Sequence, residues 1–366
     1  MPPIASVKGF WRRVTEGFTL QQLWDQFRRD AGTSYRLYRK DVEGKYEARS
    51  RWRRWFGHAG ALFWAMLLKL SPARRVFLLL AVVLLVSGLQ GARTGRGLIG
   101  AVALLALLGL ELADRVALKR DLEIAREIQK WLVPQAPPRM AGVDIAFATR
   151  PANTVAGDYY DAFLCPAVGA TPAERLLLVV ADVAGKGMPA ALLMATFQSS
   201  LRTLVQEVIP LAELVSRLNR YSCEHSLEGR RFTTAVLAEL DRATGALTYV
   251  NAGHNPPALR RADGTLEWLK AGGLPLGVQA GAGYEAGAVT LRQGDLLAIY
   301  TDGVPEAGNE AGEHYGEARL TELLRGMREG SAAEALSSLV SSVDSFIGNA
   351  GRQDDVTCLM VRRTSA

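Results

Sequence analysis

Two apolar runs without a charged residue stand out early in the chain. Residues 76–92 are dominated by Leu and Val, and residues 97–110 follow after a short loop carrying Arg93 and Arg96. Each is shorter than the roughly 20 residues of an ordinary membrane-crossing helix, so together they read as a thin hairpin. Leu78, Leu79 and Leu80 with Val82, Val83 and Val86 leave the first helix no polar face, which favours lipid over the core of a soluble domain. Arg74 and Arg75 precede the first run, and Arg115, Lys119 and Arg120 follow the second, an arrangement that puts both chain ends in the cytoplasm.

The pattern changes on either side. Residues 111–132 read as a charged helix with an apolar stripe at Leu118, Leu122, Ala125, Ile128 and Leu132, with Ile124 beside it. Leu112 and Val116 extend the stripe backwards. It is too short for a sustained coiled coil, but it can pair two copies of the chain or dock on the following domain. Pro134, Pro137 and Pro138 end it. Upstream, residues 1–55 mix arginines with Trp11, Trp24, Trp52 and Trp55, and Leu20, Leu23, Trp24 and Phe27 recur at helical spacing after Phe18. A helix lying on a membrane surface fits this arm, and so do a small bundle and a disordered segment. Residues 59–70 are apolar apart from Lys69 but short, which suits an interfacial or buried helix better than a span.

From about residue 140 the period shortens to that of strands. Candidates are residues 143–149, 159–164, 176–183, 232–240, 247–251, 287–291, 296–300 and 356–361, with turns between neighbouring antiparallel strands marked by Gly245, Gly264 and Gly294. Helical patterns fall in two blocks, residues 189–226 and 317–347. Strands in runs with helices set apart in blocks indicate an α+β layered domain. The expected organisation is a basic N-terminal arm over 1–75, a two-helix transmembrane hairpin over 76–112, a linker helix over 113–139 and the layered domain over 140–366.

Charge is divided along the same lines. Of the net +6 on 366 residues, the first 75 residues carry +10 and the remainder −4. The basic character therefore belongs to the arm, which points to anionic lipid and argues against a nucleic-acid-binding catalytic domain. Cys165, Cys223 and Cys358 are far apart and form no Cys-x-x-Cys pair, which argues against a disulfide framework or a zinc site. The polar, basic start gives no sign of a cleavable signal peptide.

Four places in the layered domain share one form: a strand edge, an aspartate and small or turn-forming neighbours. They are Gly157-Asp158-Tyr159-Tyr160-Asp161, Asp182-Val183-Ala184-Gly185-Lys186-Gly187, Tyr300-Thr301-Asp302-Gly303-Val304 and Gln353-Asp354-Asp355-Val356-Thr357. Any one of them is an ordinary turn or helix cap. Together they suit hard divalent cations, which take oxygen ligands, and converging carboxylates repel one another unless a cation neutralises them. Two ions sharing a carboxylate would activate a water for in-line attack on phosphorus. Lys186 and its glycines are not a P-loop, because the Gly-x-x-x-x-Gly-Lys spacing is absent.

With these motifs the chain resembles the metal-dependent protein serine/threonine phosphatases of the protein phosphatase 2C class (PPM type), specifically their SpoIIE-type bacterial branch. The resemblance covers about residues 121–364. It starts at Ala125-Arg126-Glu127-Ile128-Gln129 and Leu132-Val133-Pro134-Gln135, takes in Pro151-Ala152 and the four aspartate motifs, and includes Asn251-Ala252-Gly253-His254-Asn255-Pro256 and Gly273-Leu274-Pro275-Leu276-Gly277. It implies an antiparallel β-sandwich flanked by helix pairs, with two Mn2+ or Mg2+ ions between the sheets. Carried over by motif, Asp158 and Asp182 become the catalytic metal ligands, Asp182 the bridge and the Val183 carbonyl a further ligand. Asp302 and Asp354 complete the set, with Asp355 the alternative to Asp354. A metal-bound hydroxide would be the nucleophile, with no covalent enzyme intermediate.

Two departures from the wider class matter. Its eukaryotic branch has a candidate general-acid histidine two residues after the bridging aspartate, where this chain has Ala184, and its phosphate-holding arginine has no secure match. Lys186 is either a phosphate contact or a solvated turn lysine, and His254 reads as a turn histidine with its hydrogen bonds satisfied. The resulting expectation is a membrane-tethered phosphatase facing the cytoplasm. Its substrate would be a bacterial signalling protein phosphorylated on Ser or Thr, of the anti-sigma-factor antagonist class by resemblance. A catalytically silent scaffold and a small-phosphoester hydrolase are the alternatives.

Overall fold

The computed structural model describes residues 70–89, 94–165, 175–225 and 231–365. The candidate surface helix of the basic arm, and all but the last of residues 59–70, lie outside the described residues. The chain divides into two compact units, Met1–Val116 and Ala117–Ala366.

The described part of the first unit is built from α1 (Pro72–Leu89) and the beginning of α2 (Thr94–Leu132). The second apolar run and the charged segment after it form this single uninterrupted helix α2. Leu110, Glu111, Leu112 and Ala113 at the junction are all strong helix formers, so nothing stops it there. Arg74 of α1 is held by Glu111 at 3.2 Å and Asp114 at 2.6 Å. Outside that pairing the helices turn apolar side chains outwards, among them Val76, Leu80, Val83, Leu98, Ile99 and Leu105. Among the described residues α2 is long and apolar enough to cross a membrane.

The second unit is a two-sheet sandwich between two helix pairs. One sheet runs β1 (Val143–Arg150), β11 (Val356–Arg363), β10 (Leu296–Tyr300), β6 (Ala258–Arg260), β7 (Leu266–Trp268). The other runs β2 (Tyr159–Leu164), β3 (Arg175–Val183), β4 (Thr233–Asp241), β5 (Ala246–Ala252), β8 (Gly272–Gly273), with β9 (Gly287–Thr290) also on β5. All pairings between these strands are antiparallel except the two-residue β5–β8 bridge. The β2 and β10 bounds are those read from the hydrophobic pattern. Strands β6, β7 and β8 leave no mark in the hydrophobic pattern, since two or three residues carry no period.

The first helical block divides into α3 (Met188–Leu204) and α4 (Leu211–Glu224), the latter starting directly after Pro210, and the second into α5 (Gly316–Gly326) and α6 (Ala332–Ile347). Pro189 suits the first turn of α3. Helix α6 opens with a capping box, in which Ser331 Oγ accepts from Glu334 N at 3.1 Å and Glu334 Oε2 from Ser331 N at 2.8 Å. Gly245 and Gly264 turn antiparallel neighbours, as expected. Gly294 does not: β9 before it pairs with β5, whereas β10 after it lies in the other sheet, so this turn carries the chain across the sandwich.

Strand alternation sorts the side chains into three cores. Leu176, Leu178 and Val180 of β3 meet Ile299, Leu359 and Val361 of the opposite sheet between the layers. Leu177, Val179, Ala181 and Val183 point the other way, under α3 and α4, against Met194, Phe197, Leu201 and Leu218. Leu296, Ala298, Tyr300 and Met360 pack beneath α5 and α6.

Candidate active site

The inter-sheet core ends where the acidic motifs begin. Asp158 precedes β2 and shares the inward parity of Tyr160 and Ala162, while Asp182, near the end of β3, shares that of Val180. Asp302 follows β10, and Asp354 and Asp355 precede β11, so both sheets deliver carboxylates to one end of the sandwich. Asp161 in the first motif has the opposite parity. It is buried on the helix side, where it accepts from Arg202 and from the Tyr159 hydroxyl, each at 2.5 Å, and it is no part of the cluster.

The electrostatics show how tightly the others are grouped. Burial, then the Asp182 charge, pushes Asp158 well above the ordinary carboxylate range, against the lowering effect of the Thr357 and Thr301 hydroxyls. Asp182 is raised by burial and by the charges of Asp302 and Asp354. Asp302 is raised by burial, Glu306 and Asp354, with Lys186 pulling the other way. Several acids thus share a space that cannot hold all of their charges unaided.

The two adjacent acids of the last motif do different work. Asp355 is buried, and its two carboxylate oxygens accept from the backbone N–H groups of Ala152 and Gly157, both at 2.7 Å. It therefore pins the loop that delivers Asp158. Asp354 is half-exposed and faces Lys186, whose Nζ lies 2.6 Å from its Oδ2. The Val183 carbonyl looks towards Gly157, where a Cβ would lie 3.3 Å from its oxygen. Gly303 allows a still closer approach, because a Cβ there would stand 2.0 Å from the Asp355 carbonyl.

Neutral groups brace the cluster from behind. Thr301 Oγ1 donates to Asp158 Oδ2 at 3.0 Å and accepts from Thr357 N at 3.1 Å. His254 is buried and ties the sheets together. Its Nε2 lies 3.1 Å from the Tyr300 carbonyl, which can only accept, so Nε2 carries the proton and Nδ1 accepts from the Thr234 hydroxyl at 2.7 Å. Burial pushes its pKa down to about 4. Gln129 near the end of α2 grips Ala156 from both sides: its amide nitrogen donates to the carbonyl at 2.7 Å and its oxygen accepts from the N–H at 3.0 Å. Arg231 donates to the Ala184 carbonyl at 3.1 Å. Thr301, Thr357 and Gln129 all lie inside motifs visible in the sequence, but their roles emerge only with the geometry.

The donor set fits hard divalent ions: carboxylates delivered by separate loops, with no sulfur or imidazole among them. Among the described residues, no group of three or more His, Cys, Asp or Glu side chains already stands in coordinating geometry.

A β-sandwich between helix pairs, with an acidic cluster at one end of the inter-sheet space, defines a phosphatase domain of the protein phosphatase 2C class, metal-dependent hydrolases of phosphoric monoesters. Within that class, residues 172–364 match the family model described as Stage II sporulation protein E (SpoIIE), and the chain belongs to that family. It is 29% identical over 247 residues to the phosphoserine phosphatase RsbU of Bacillus subtilis, covering 67% of this chain and 71% of RsbU. It is 27% identical over 283 residues to protein IcfG of Synechocystis sp., covering 70% of this chain but only 43% of that protein. Among solved structures, the SiaA-PP2C domain of Pseudomonas aeruginosa shares the fold, with a TM-score of 0.59, 23% identity, and coverage of 68% of this chain and 98% of that one.

Proposed function

We propose that this chain is a membrane-tethered phosphatase that removes phosphate from Ser or Thr of a phosphorylated signalling protein on the cytoplasmic side. The observation that carries the reading is the convergence of Asp158, Asp182, Asp302 and Asp354 from both sheets. Membership of the SpoIIE family and similarity to a phosphoserine phosphatase support it.

In this reading Asp158, Asp182, Asp302, Asp354 and the Val183 carbonyl would hold two Mn2+ or Mg2+ ions. Bound divalent ions supply the positive charge and water activation that phosphoryl transfer to water needs. The rest is done by the chain itself. Asp355 fixes the loop of Asp158, Thr301 orients the Asp158 carboxylate, and the Gly185–Gly187 turn sets the mouth of the site. Asp354 is favoured over Asp355 as a ligand because the two oxygens of Asp355 are already committed to backbone N–H groups.

The substrate class follows from the family resemblance: a phosphorylated anti-sigma-factor antagonist. Membrane attachment rests on the apolar hairpin. The exposed apolar side chains Leu118, Ile124, Ile128 and Trp131 of α2 support pairing of two copies through the linker helix. The direct test is release of phosphate from a phosphoserine peptide by the full chain in detergent with added Mn2+. Activity should appear with the metal and vanish in Asp182→Ala. A chain that binds no Mn2+ would sink the enzyme reading and leave the scaffold alternative.

A further inference from the structure

Among the described residues, one cation is paired with a member of the converging cluster. Lys186 sits in the turn after β3, between Gly185 and Gly187, both at positive φ (113° and 73°). Its Nζ reaches across to the turn before β11, 2.6 Å from Asp354 Oδ2, and donates to the Gln353 carbonyl at 2.6 Å. The side chain therefore joins loops from opposite sheets over the mouth of the site.

Two properties make this clasp exchangeable. Both partners are half-exposed, with side-chain exposures of 52% for Lys186 and 38% for Asp354, and a pair of that kind contributes only about 0–1 kcal/mol. Asp354 is also open to solvent, whereas Asp158 and Asp355 are buried. A doubly charged ion outcompetes an ammonium for such a carboxylate, and the ammonium is then repelled by the charge that replaced it. Lys186 would be left on a glycine-flanked turn at the rim, where Ala184 offers no donor and Arg231 is engaged by the Ala184 carbonyl. The anion available to it there is the substrate's phosphate.

We propose that Lys186 is an exchangeable counter-ion: it neutralises Asp354 while the cluster lacks metal, yields that carboxylate to an incoming divalent ion, and then pairs with the phosphate group of the substrate. This rests on the metal reading above. It makes Lys186 a substrate-contacting residue whose charge opposes metal binding and favours phosphate binding. A lysine that merely clasps two loops would support both alike.

The test is calorimetric titration of the full chain in detergent, first with Mn2+ and then, at saturating Mn2+, with inorganic phosphate. Lys186→Gln, which keeps a hydrogen-bond donor but no charge, should bind Mn2+ about three- to tenfold more tightly, the scale of one like-charge repulsion through water at several Å. It should bind phosphate about tenfold more weakly, the scale of a lost charge-assisted bond. Lys186→Arg should restore both affinities towards wild type. Mn2+ affinity that is unchanged or weaker in Lys186→Gln, unchanged phosphate affinity, or failure of Lys186→Arg to rescue would each overturn the proposal. A wild-type chain that binds no Mn2+ would instead overturn the metal reading and carry this proposal with it.

Discussion

Asp354 and Asp355 adjoin in sequence yet should respond oppositely to the same substitution. Asp355→Ala removes the acceptor of the Ala152 and Gly157 N–H groups, both bonded at 2.7 Å inside the protein. Hydrogen bonds to a charged acceptor are worth roughly 1.5–3 kcal/mol each, and buried donors left unpaired lose the full amount. Relief of repulsion from Asp354 returns part of this, so a net loss of about 3–4 kcal/mol is expected. For a unit of this size, that lowers the melting temperature by about 10 °C. Asp354→Ala loses only a half-exposed pair with Lys186, so its metal-free stability should stay within about 1 kcal/mol, or roughly 3 °C. Mn2+ affinity should divide the other way, because in the proposed reading Asp354→Ala removes a ligand outright. Circular-dichroism melts of the full chain in detergent with EDTA, followed by Mn2+ titration, measure both quantities. A metal-free Asp354→Ala that melts as low as Asp355→Ala would refute the division of labour.

Other consequences can be checked alongside. Because the folded His254 pKa is near 4 and the unfolded value is near 6.5, the unfolded chain takes up a proton first as pH falls. The stability advantage of wild type over His254→Gln should therefore shrink between about pH 6.5 and pH 4, by roughly 3 kcal/mol. An advantage independent of pH would rule this out. The raised carboxylates have the reverse sign: folded Asp158 and Asp182 hold protons that the unfolded chain has shed, so they favour the metal-free fold as pH falls. Divalent ions must displace those protons, and Mn2+ binding near neutral pH should release them, as calorimetry in buffers of different ionisation enthalpy would show. No measurable release would count against the cluster as the metal site. Gln129→Ala should cost about 1–2 kcal/mol in stability and raise the Mn2+ concentration needed for half-maximal activity. An unchanged metal requirement would show that the grip on Ala156 does not bear on Asp158.

Much of the fold could be read from the chain because its strands are long enough for a period of two to show. The bounds of β2 and β10 follow from runs such as Tyr159–Leu164 and Leu296–Tyr300, whereas the division of the first helical block into α3 and α4 is absent from the pattern read over residues 189–226. The pattern could not reveal β6 to β8, which are too short to have one, or the crossing at Gly294. A glycine turn looks the same whether it returns a strand to its own sheet or carries it to the other. The site was legible as a set of acids, not as a set of roles. Asp158 and Asp161 occur in one motif, yet strand alternation sends the first to the cluster and the second to Arg202 on α3. Asp354 and Asp355 are separated by burial and backbone pairing, which residue type does not encode. Gln129 is a further case: its partner, Ala156, is a backbone site far along the chain.

The cluster's position also explains how the fold tolerates it. Mutually repelling carboxylates are destabilising wherever they sit, but these lie at the rim of the inter-sheet core, where Leu178, Val180, Ile299 and Leu359 pack beneath them without being displaced. Each loop is held separately by its own hydrogen-bond partners. Asp355 and Gln129 secure the loop of Asp158, Thr301 joins β10 to β11 and to Asp158, and His254 joins Thr234 of one sheet to Tyr300 of the other. None of these contacts depends on a cation. The scaffold that positions the acids is therefore built from contacts of the chain itself. A rigid sandwich can in this way carry a cluster whose charges it cannot neutralise itself.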